Sequence, residues 1–201
     1  MAEMTTGLTP QTFENLQLNA GCVVADVDFS AVTTYSAAKQ ALVAAKADPT
    51  KWLGATRGGG SFKSTAAIRH IEADGKRSEF VGSSVNDGWT IKLSVTLLEM
   101  TPENLKRAFM CADVDTEGQK TSIKIRTAIA NEDYIPKLAW VGDTAYGLMV
   151  IELDNVLNLA GAVISFTDKG EGTLPMEFTA HQADLENQEY APFRAYILKK
   201  E

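Results

Sequence analysis

Between Trp89 and Leu97 the chain alternates without a break. Trp89, Ile91, Leu93, Val95 and Leu97 fall on one side, and Thr90, Lys92, Ser94 and Thr96 on the other. Successive side chains of an extended strand point to opposite faces, so this period of two specifies a strand with one buried and one wet face. Ile123, Ile125, Thr127 and Ile129 against Ser122, Lys124, Arg126 and Ala128 repeat the pattern. Further strands are expected near 20–29, 63–73, 137–141, 145–153, 162–167, 174–181 and 192–198. Asp74-Gly75, Asp87-Gly88, Gly142-Asp143 and the 168–172 stretch supply turn chemistry between them. The expected fold class is mainly β: an antiparallel β-sandwich or partial barrel of eight or nine strands with one or two flanking helices.

Two segments carry helical signals. Thr101-Pro102-Glu103 combines a capping threonine, proline at the first helical position and an acid at the positive end of the dipole. Leu105, Ala108, Phe109 and Ala112 then follow the i, i+3, i+4, i+7 rule. A second helix is expected over 35–47, with a thin face of Ala38, Ala41, Leu42 and Ala45, stopped by Asp48-Pro49. Residues 1–18 are polar and poorly periodic and read as an N-terminal arm, and 19–201 as one β-sandwich domain.

The chain's 201 residues suit a single domain, and no run approaches a membrane-spanning length, so no membrane partner is expected. The N-terminus has neither the basic start nor the apolar stretch of a secretory signal, and no N-x-Ser/Thr sequon occurs. Both point to synthesis and use in the cytoplasm. Cys22 and Cys111 lie far apart without metal-ligand spacing and read as buried thiols. Residues 1–131 carry 14 basic and 14 acidic side chains, while 132–201 carry 5 and 12, so the net charge of −7 resides in the C-terminal third. An acidic chain without a basic cluster is poorly suited to gripping nucleic acid, which needs Lys and Arg against phosphates.

Three motifs approach a chemical site and miss. Gly54-Ala-Thr-Arg-Gly-Gly-Gly60 precedes Lys63-Ser64 as in a phosphate-binding loop, but Phe62 stands where that loop needs glycine, and a strand follows instead of a helix. The stretch reads as a loop that orders against another chain. Asp113, Asp115, Glu117 and Gly118 imitate the start of a calcium loop, but Lys124 occupies the position of the bidentate glutamate and Lys120 the apolar position; a solvated helix-to-strand turn is expected. There is no G-x-S-x-G elbow, and neither His70 nor His181 lies in a catalytic signature. His181 reads as a hydrogen-bonded strand-end residue, Glu132-Asp133 and the pair Glu152 and Asp154 as surface charge, and Trp89 as core. The expectation is a protein that is no enzyme, with no cofactor and no metal.

Several stretches in order resemble one family. Leu53–Phe62 leads to a strand ending at Asp74-Gly75; Thr90–Phe109 follows; Pro175-Met-Glu-Phe-Thr-Ala-His-Gln182 precedes the last strand, Pro192–Leu198. This order, over roughly 53–198, is similar to the major tail (tail tube) proteins of tailed bacteriophages, particularly those of Gram-positive hosts. The resemblance implies a β-sandwich flanked by a helix that forms hexameric rings stacked into a hollow tube, with one sheet of each subunit joining its neighbours around the lumen. It implies homo-oligomeric partners, other tail proteins at the tube ends, DNA passing through without specific binding, and a place in the virion tail after assembly in the host cytoplasm. By position, Gly54, Thr56, Arg57, Gly58, Gly59, Gly60 and Phe62 match the loop that binds neighbours in that family, and residues 1–18 match its arm. Two alternatives stand beside it: the inner tube of a contractile tail or tailocin, and a stand-alone ligand-binding β-sandwich, for instance for carbohydrate.

Overall fold

A computed structural model describes residues 12, 19–166, 168–186 and 188–200; the expected arm, apart from Thr12, lies outside them. The described residues form nine strands and two α-helices, mainly β and antiparallel throughout. In chain order these are β1 (Cys22–Ala25), α1 (Tyr35–Lys46), β2 (Thr56–His70), β3 (Ser84–Leu97), α2 (Pro102–Ala108), β4 (Ala112–Glu117), β5 (Lys120–Ile125), β6 (Ile135–Asp143), β7 (Gly147–Asn158), β8 (Leu174–Thr179) and β9 (Phe193–Lys199).

Strand β7 organises the sandwich. Its first part pairs with β6 and β9, so that β1, β6, β7 and β9 make sheet I. Its last residues, Leu157 and Asn158, pair instead with Thr179 and Phe178 of β8, which continues through β3 to β2 as sheet II. The switch occurs at Asn155, whose φ of 46° lies in the left-handed region. His181 ties the bend: its N–H donates to Asp154 O at 3.1 Å, its Nδ1 lies 3.0 Å from Asn155 O, and Asn155 Nδ2 donates back to His181 O at 3.3 Å. This is the hydrogen-bonded strand-end role expected for His181.

The two sheets enclose the main core. Ile91, Leu93, Val95 and Leu97 of β3 meet Leu138, Ile151, Leu153 and Val156 of sheet I, with Leu174, Met176 and Phe178 of β8 filling the layer. Sheet I is also covered on its second face, where Val24, Ala139, Val141, Leu148 and Val150 pack against Phe29, Ala38 and Ala45. Burial on both faces explains why 147–153 reads as a continuous apolar run interrupted only by Glu152. The expected thin face of α1 is what seals that side. Thr34 caps the helix by accepting from Ala37 N, and Thr101 caps α2 by accepting from Asn104 N, both at 3.2 Å. No helix among the described residues is long and apolar enough to cross a membrane.

Several expectations need correction. Of the strand expected at 162–167, the described residues 162–166 hold only an isolated bridge between Ser165 and Thr173. The strand expected at 122–129 stops at Ile125, and both Ile125 and Ile129 are exposed; among the described residues β4 and β5 pair only with each other. Asp87-Gly88 is not a turn but lies inside β3, where the register against β2 shifts between Ala66 and Ile68. Asp87 serves the ladder by accepting two bonds from Arg69, at 2.8 and 3.0 Å. Trp89 is not core: half of it is exposed.

Candidate assembly surface

The glycine-rich stretch is a strand with a bulge, not a loop. Thr56 pairs with Leu97 and Gly60 with Val95, which leaves Arg57, Gly58 and Gly59 outside the ladder. Gly58 and Gly59 have φ of 71° and 73°, a conformation that glycine reaches without a Cβ clash. Around them Cβ atoms would find open space or, at Gly59, ordinary contact with Ala20. Gly60 differs: a Cβ there would stand 2.7 Å from Ser94 O across the ladder. Gly54 is closed too, because a Cβ would fall 2.3 Å from the Glu99 carboxylate, which accepts the Ala55 N–H at 2.8 Å. Phe62 turns inward, its ring 5.1 Å from that of Phe193. The set Gly54, Thr56, Arg57, Gly58, Gly59, Gly60 and Phe62 therefore divides. Gly54, Thr56, Gly60 and Phe62 build the sheet; Arg57, Gly58 and Gly59 form a ridge outside the ladder, Arg57 and Gly58 exposed and Gly59 half-buried, with Arg57 ion-paired to Glu171 at 3.1 Å. Beside the ridge runs a groove of about 470 Å³ floored by Ser94, Thr96 and Glu177.

The most prominent surface element escaped the sequence. Strands β2 and β3 run on past the sandwich as a two-stranded arm, closed by residues 71–83. By register, Ala66, its partner Trp89, and Ile68 continue the core-facing side of sheet II beyond the core, and Trp89 and Ile68 are each 50% exposed. Ile71, Phe80 and Val81 add further exposed apolar surface at the tip. The tip is held by its own bonds. Lys76 Nζ donates to Ile71 O and to Glu79, Ser83 Oγ donates to Glu79 at 2.7 Å, and Ile71 N donates to Ser83 O at 2.8 Å. Hydrogen bonds from Lys76 and Ser83 keep the Glu79 carboxyl below its ordinary range, and the Arg69 guanidinium does the same for Asp87.

Among the described residues the outer edge of β2 has no strand beside it, and neither has that of β9. The outer edge of β1 is occupied: Ala25 N donates to Lys51 O, and Leu53 N to Val23 O. Open edges offer unpaired backbone groups to another chain. The solvent face of sheet II is polar, with Lys63 opposite Lys92 in the register. Lys92 meets Glu177 at 2.6 Å, with Ser94 and Thr96 beside them.

Other candidate residues resolve into structural roles. Asp113, Asp115 and Glu117 lie in β4, not in a turn, and Asp113 and Glu117 face Lys124 and Lys120 of β5 directly in the register. The two lysines that spoil the calcium pattern are thus the acids' cross-strand partners. Among the described residues, no group of three or more His, Cys, Asp or Glu side chains is placed to hold a metal. Ser84, His70 and Glu79 converge near the arm tip, but both neighbours approach the same ring nitrogen. Ser84 Oγ is 3.1 Å from Nδ1 and Glu79 Oε2 3.3 Å from it. A proton relay needs its base and its orienting acid on opposite nitrogens. Cys111 is buried, and burial pushes the half-buried Cys22 thiol up to about 11 against the opposing pull of Lys46.

The expected surface charges are partly interior. Glu152 is 0% exposed; its carboxylate accepts Phe29 N at 2.7 Å and Lys137 Nζ at 3.2 Å, and Lys137 also meets Asp154 at 2.6 Å. Asp133 is likewise enclosed, paired with Arg126 and accepting Ala130 N at 2.7 Å. These carboxylates fasten loops to sheets. Glu152 holds the segment leading to α1, and Asp133 holds the turn before β6.

The fold and surface define an antiparallel β-sandwich with a projecting two-stranded arm and open sheet edges. No protein-family model matches the chain, and no curated protein matches its sequence.

Proposed function

We propose that this protein is a structural subunit that assembles with copies of itself, and that the assembly is the tail tube of a bacteriophage: stacked rings around a lumen through which DNA passes. The carrying observation is the 15-residue strand β2, whose outer edge is open among the described residues and whose core-facing side overhangs its own core. Such an edge and such a face are liabilities in a monomer and are covered in a closed ring. The order of motifs resembling major tail proteins supports the same reading, with hexameric rings, tail-end proteins as further partners and residence in the virion tail as its consequences. In this reading the polar face of β2, β3 and β8 lines the lumen. With Lys92 paired to Glu177 and Lys63 opposite it in the register, that face carries a slight positive bias, far short of the basic cluster that grips phosphates. An inner tube of a contractile tail fits the same surfaces.

Negative-stain microscopy of the purified protein at high concentration tests the proposal. Rings or tubes are expected. One observation favours a second reading, a stand-alone ligand-binding sandwich: Trp89 and Tyr190 are exposed aromatics of the kind that stack on sugars. A sample that stays monomeric and binds a glycan would favour that reading over the tube.

A further inference from the structure

Both sheets of the sandwich run past the core they share, and they do so in different places. Strand β2 crosses over sheet I. Leu53 N donates to Val23 O just before β2 begins, and a Cβ on Gly59 would lie 3.8 Å from that of Ala20, so β2 sets out above the β1 side. The Phe62 ring then lies against that of Phe193, above β9. The arm that continues β2 therefore projects past the β9 edge of sheet I. There the side that faces the core at Phe62 and Leu93 is left bare at Ile68 and Trp89.

Sheet I has the matching overhang. Residues opposite each other in an antiparallel pair share a face, and Ala195 and Ile197 of β9 stand opposite Ile151 and Met149, on the side of the main core. Strand β2 is the last of sheet II, so once β9 has passed Phe193 no strand among the described residues follows over it. Ala195 is exposed, Ile197 is 62% exposed and Met149 is half-buried. This ledge and the open outer edge of β2 face the same gap. Ledge and arm do not cover each other within one chain, since both are exposed in the chain that carries them. Ile68 lies six residues of strand beyond Phe62 and Ile197 four beyond Phe193, in crossing directions, so the two stand roughly 20 Å apart. Charge agrees in sign. Residues 66–89 carry Glu72, Asp74, Glu79 and Asp87 against Arg69, Lys76 and Arg77, and the charge on the core-facing side of β9 is that of Lys199. A balance of one charge is small, so the apolar faces carry the contact.

We propose that the arm of one copy laps over the ledge of the next, with Ile68 and Trp89 on Ile197 and Met149, so that the sandwich core continues from copy to copy. This rests on the self-assembly reading and names the two surfaces that meet. The contact repeats the packing of the monomer, where apolar residues of β2 and β3 lie on those of β7 and β9. It joins two different surfaces head to tail, so it closes into a ring or propagates, and is not two-fold.

Ile68→Cys combined with Ile197→Cys, treated with a short bismaleimide under assembling conditions, tests it; each single variant controls for Cys22 and Cys111. A ladder of covalent dimers and higher species in the double variant alone is expected. Assembled particles without that ladder, or a cross-link confined to one chain, overturn the docking while leaving self-assembly intact. A wild-type protein that never assembles removes both. Ile197→Lys gives an independent readout. The side chain is exposed, so the urea midpoint of the monomer is expected to hold, while the concentration needed for assembly rises about tenfold. Ile197→Leu is expected to assemble as the wild type does. An unchanged assembly concentration in Ile197→Lys contradicts the proposal.

Discussion

Replacing Lys137 by methionine tests how a buried carboxylate is tolerated beneath the α1 side of sheet I. In the wild type, Glu152 is fully enclosed and holds two partners, Phe29 N–H and the Lys137 ammonium, while Asp154 reaches the same ammonium from two residues further along β7. Methionine keeps the length and apolar stem of lysine but removes the one cation that, among the described residues, makes ion-pair contact with either carboxylate. Glu152 then retains one hydrogen bond and an uncompensated charge. Breaking a fully buried pair costs about 3–5 kcal/mol. The Lys137 side chain is 24% exposed, so water screens part of the loss and about 2–4 kcal/mol is expected, a large share of a domain's total stability. Urea denaturation at dilutions that favour the monomer measures it, and a midpoint shift worth under 1 kcal/mol would refute the reasoning. Glu152→Gln in the same background should recover much of the stability, because the amide oxygen still accepts the Phe29 N–H without a charge. The pH dependence has a definite sign. Burial alone would lower the Lys137 ammonium, but bonds to Asp154 and Glu152 outweigh it and raise it above its ordinary 10.5. A raised folded value means the lysine's contribution is complete below that ordinary value and fades as the pH climbs through the raised one. The gap between wild type and variant therefore narrows at strongly alkaline pH.

Asn158→Ala should cost about 2–4 kcal/mol in the same denaturation assay, because Asn158 Nδ2 donates to Ala108 O and Gly161 O and its Oδ1 accepts Glu177 N, all where β7 joins sheet II. Gly147→Ala places a Cβ 2.1 Å from Leu198 O and should lower stability by about 1–3 kcal/mol, with faster amide exchange in β9. Gly58→Ala, which meets nothing but forces alanine to a φ of 71°, should cost about 1 kcal/mol and leave β9 exchange unchanged. Acidification should loosen the arm before the sandwich. Asp87 and Glu79 both have depressed folded values, so the ties they make are present above the ordinary carboxylate range and are lost as pH falls through the depressed values. Amide exchange in 68–86 that accelerates no earlier than exchange in β6 and β7 would contradict this.

What the sequence made legible was local periodicity and capping. The alternation over 91–97, the Thr101 cap of α2 and the apolar stripe of α1 all stand in the structure as read. The misreadings share a physical cause: period and turn chemistry describe a residue's neighbours along the chain, not what lies across from it. Trp89 keeps the parity of Ile91, yet the opposing sheet ends before it, so a core-facing position is wet. Asp87-Gly88 and the glycines at 58–59 have the chemistry of turns, but the partner strand continues past them and makes them register shifts instead. Glu152 looked like surface charge because α1, which encloses its face of the sheet, packs there from more than a hundred residues away. For the candidate surface, the glycine stretch was located but its neighbours Gly54 and Phe62 proved internal. The arm at 66–89 was missed, and the exposed Phe80-Val81 in a charged connection was the one signal that could have found it.

Self-assembly is the central claim, and sedimentation velocity of the purified wild-type chain over a wide concentration series addresses it most directly. The account predicts that the 21.7 kDa monomer gives way, with rising concentration, to ring-sized and then longer species. A single monomeric boundary at every concentration, including those at which tubes are sought by microscopy, would contradict it.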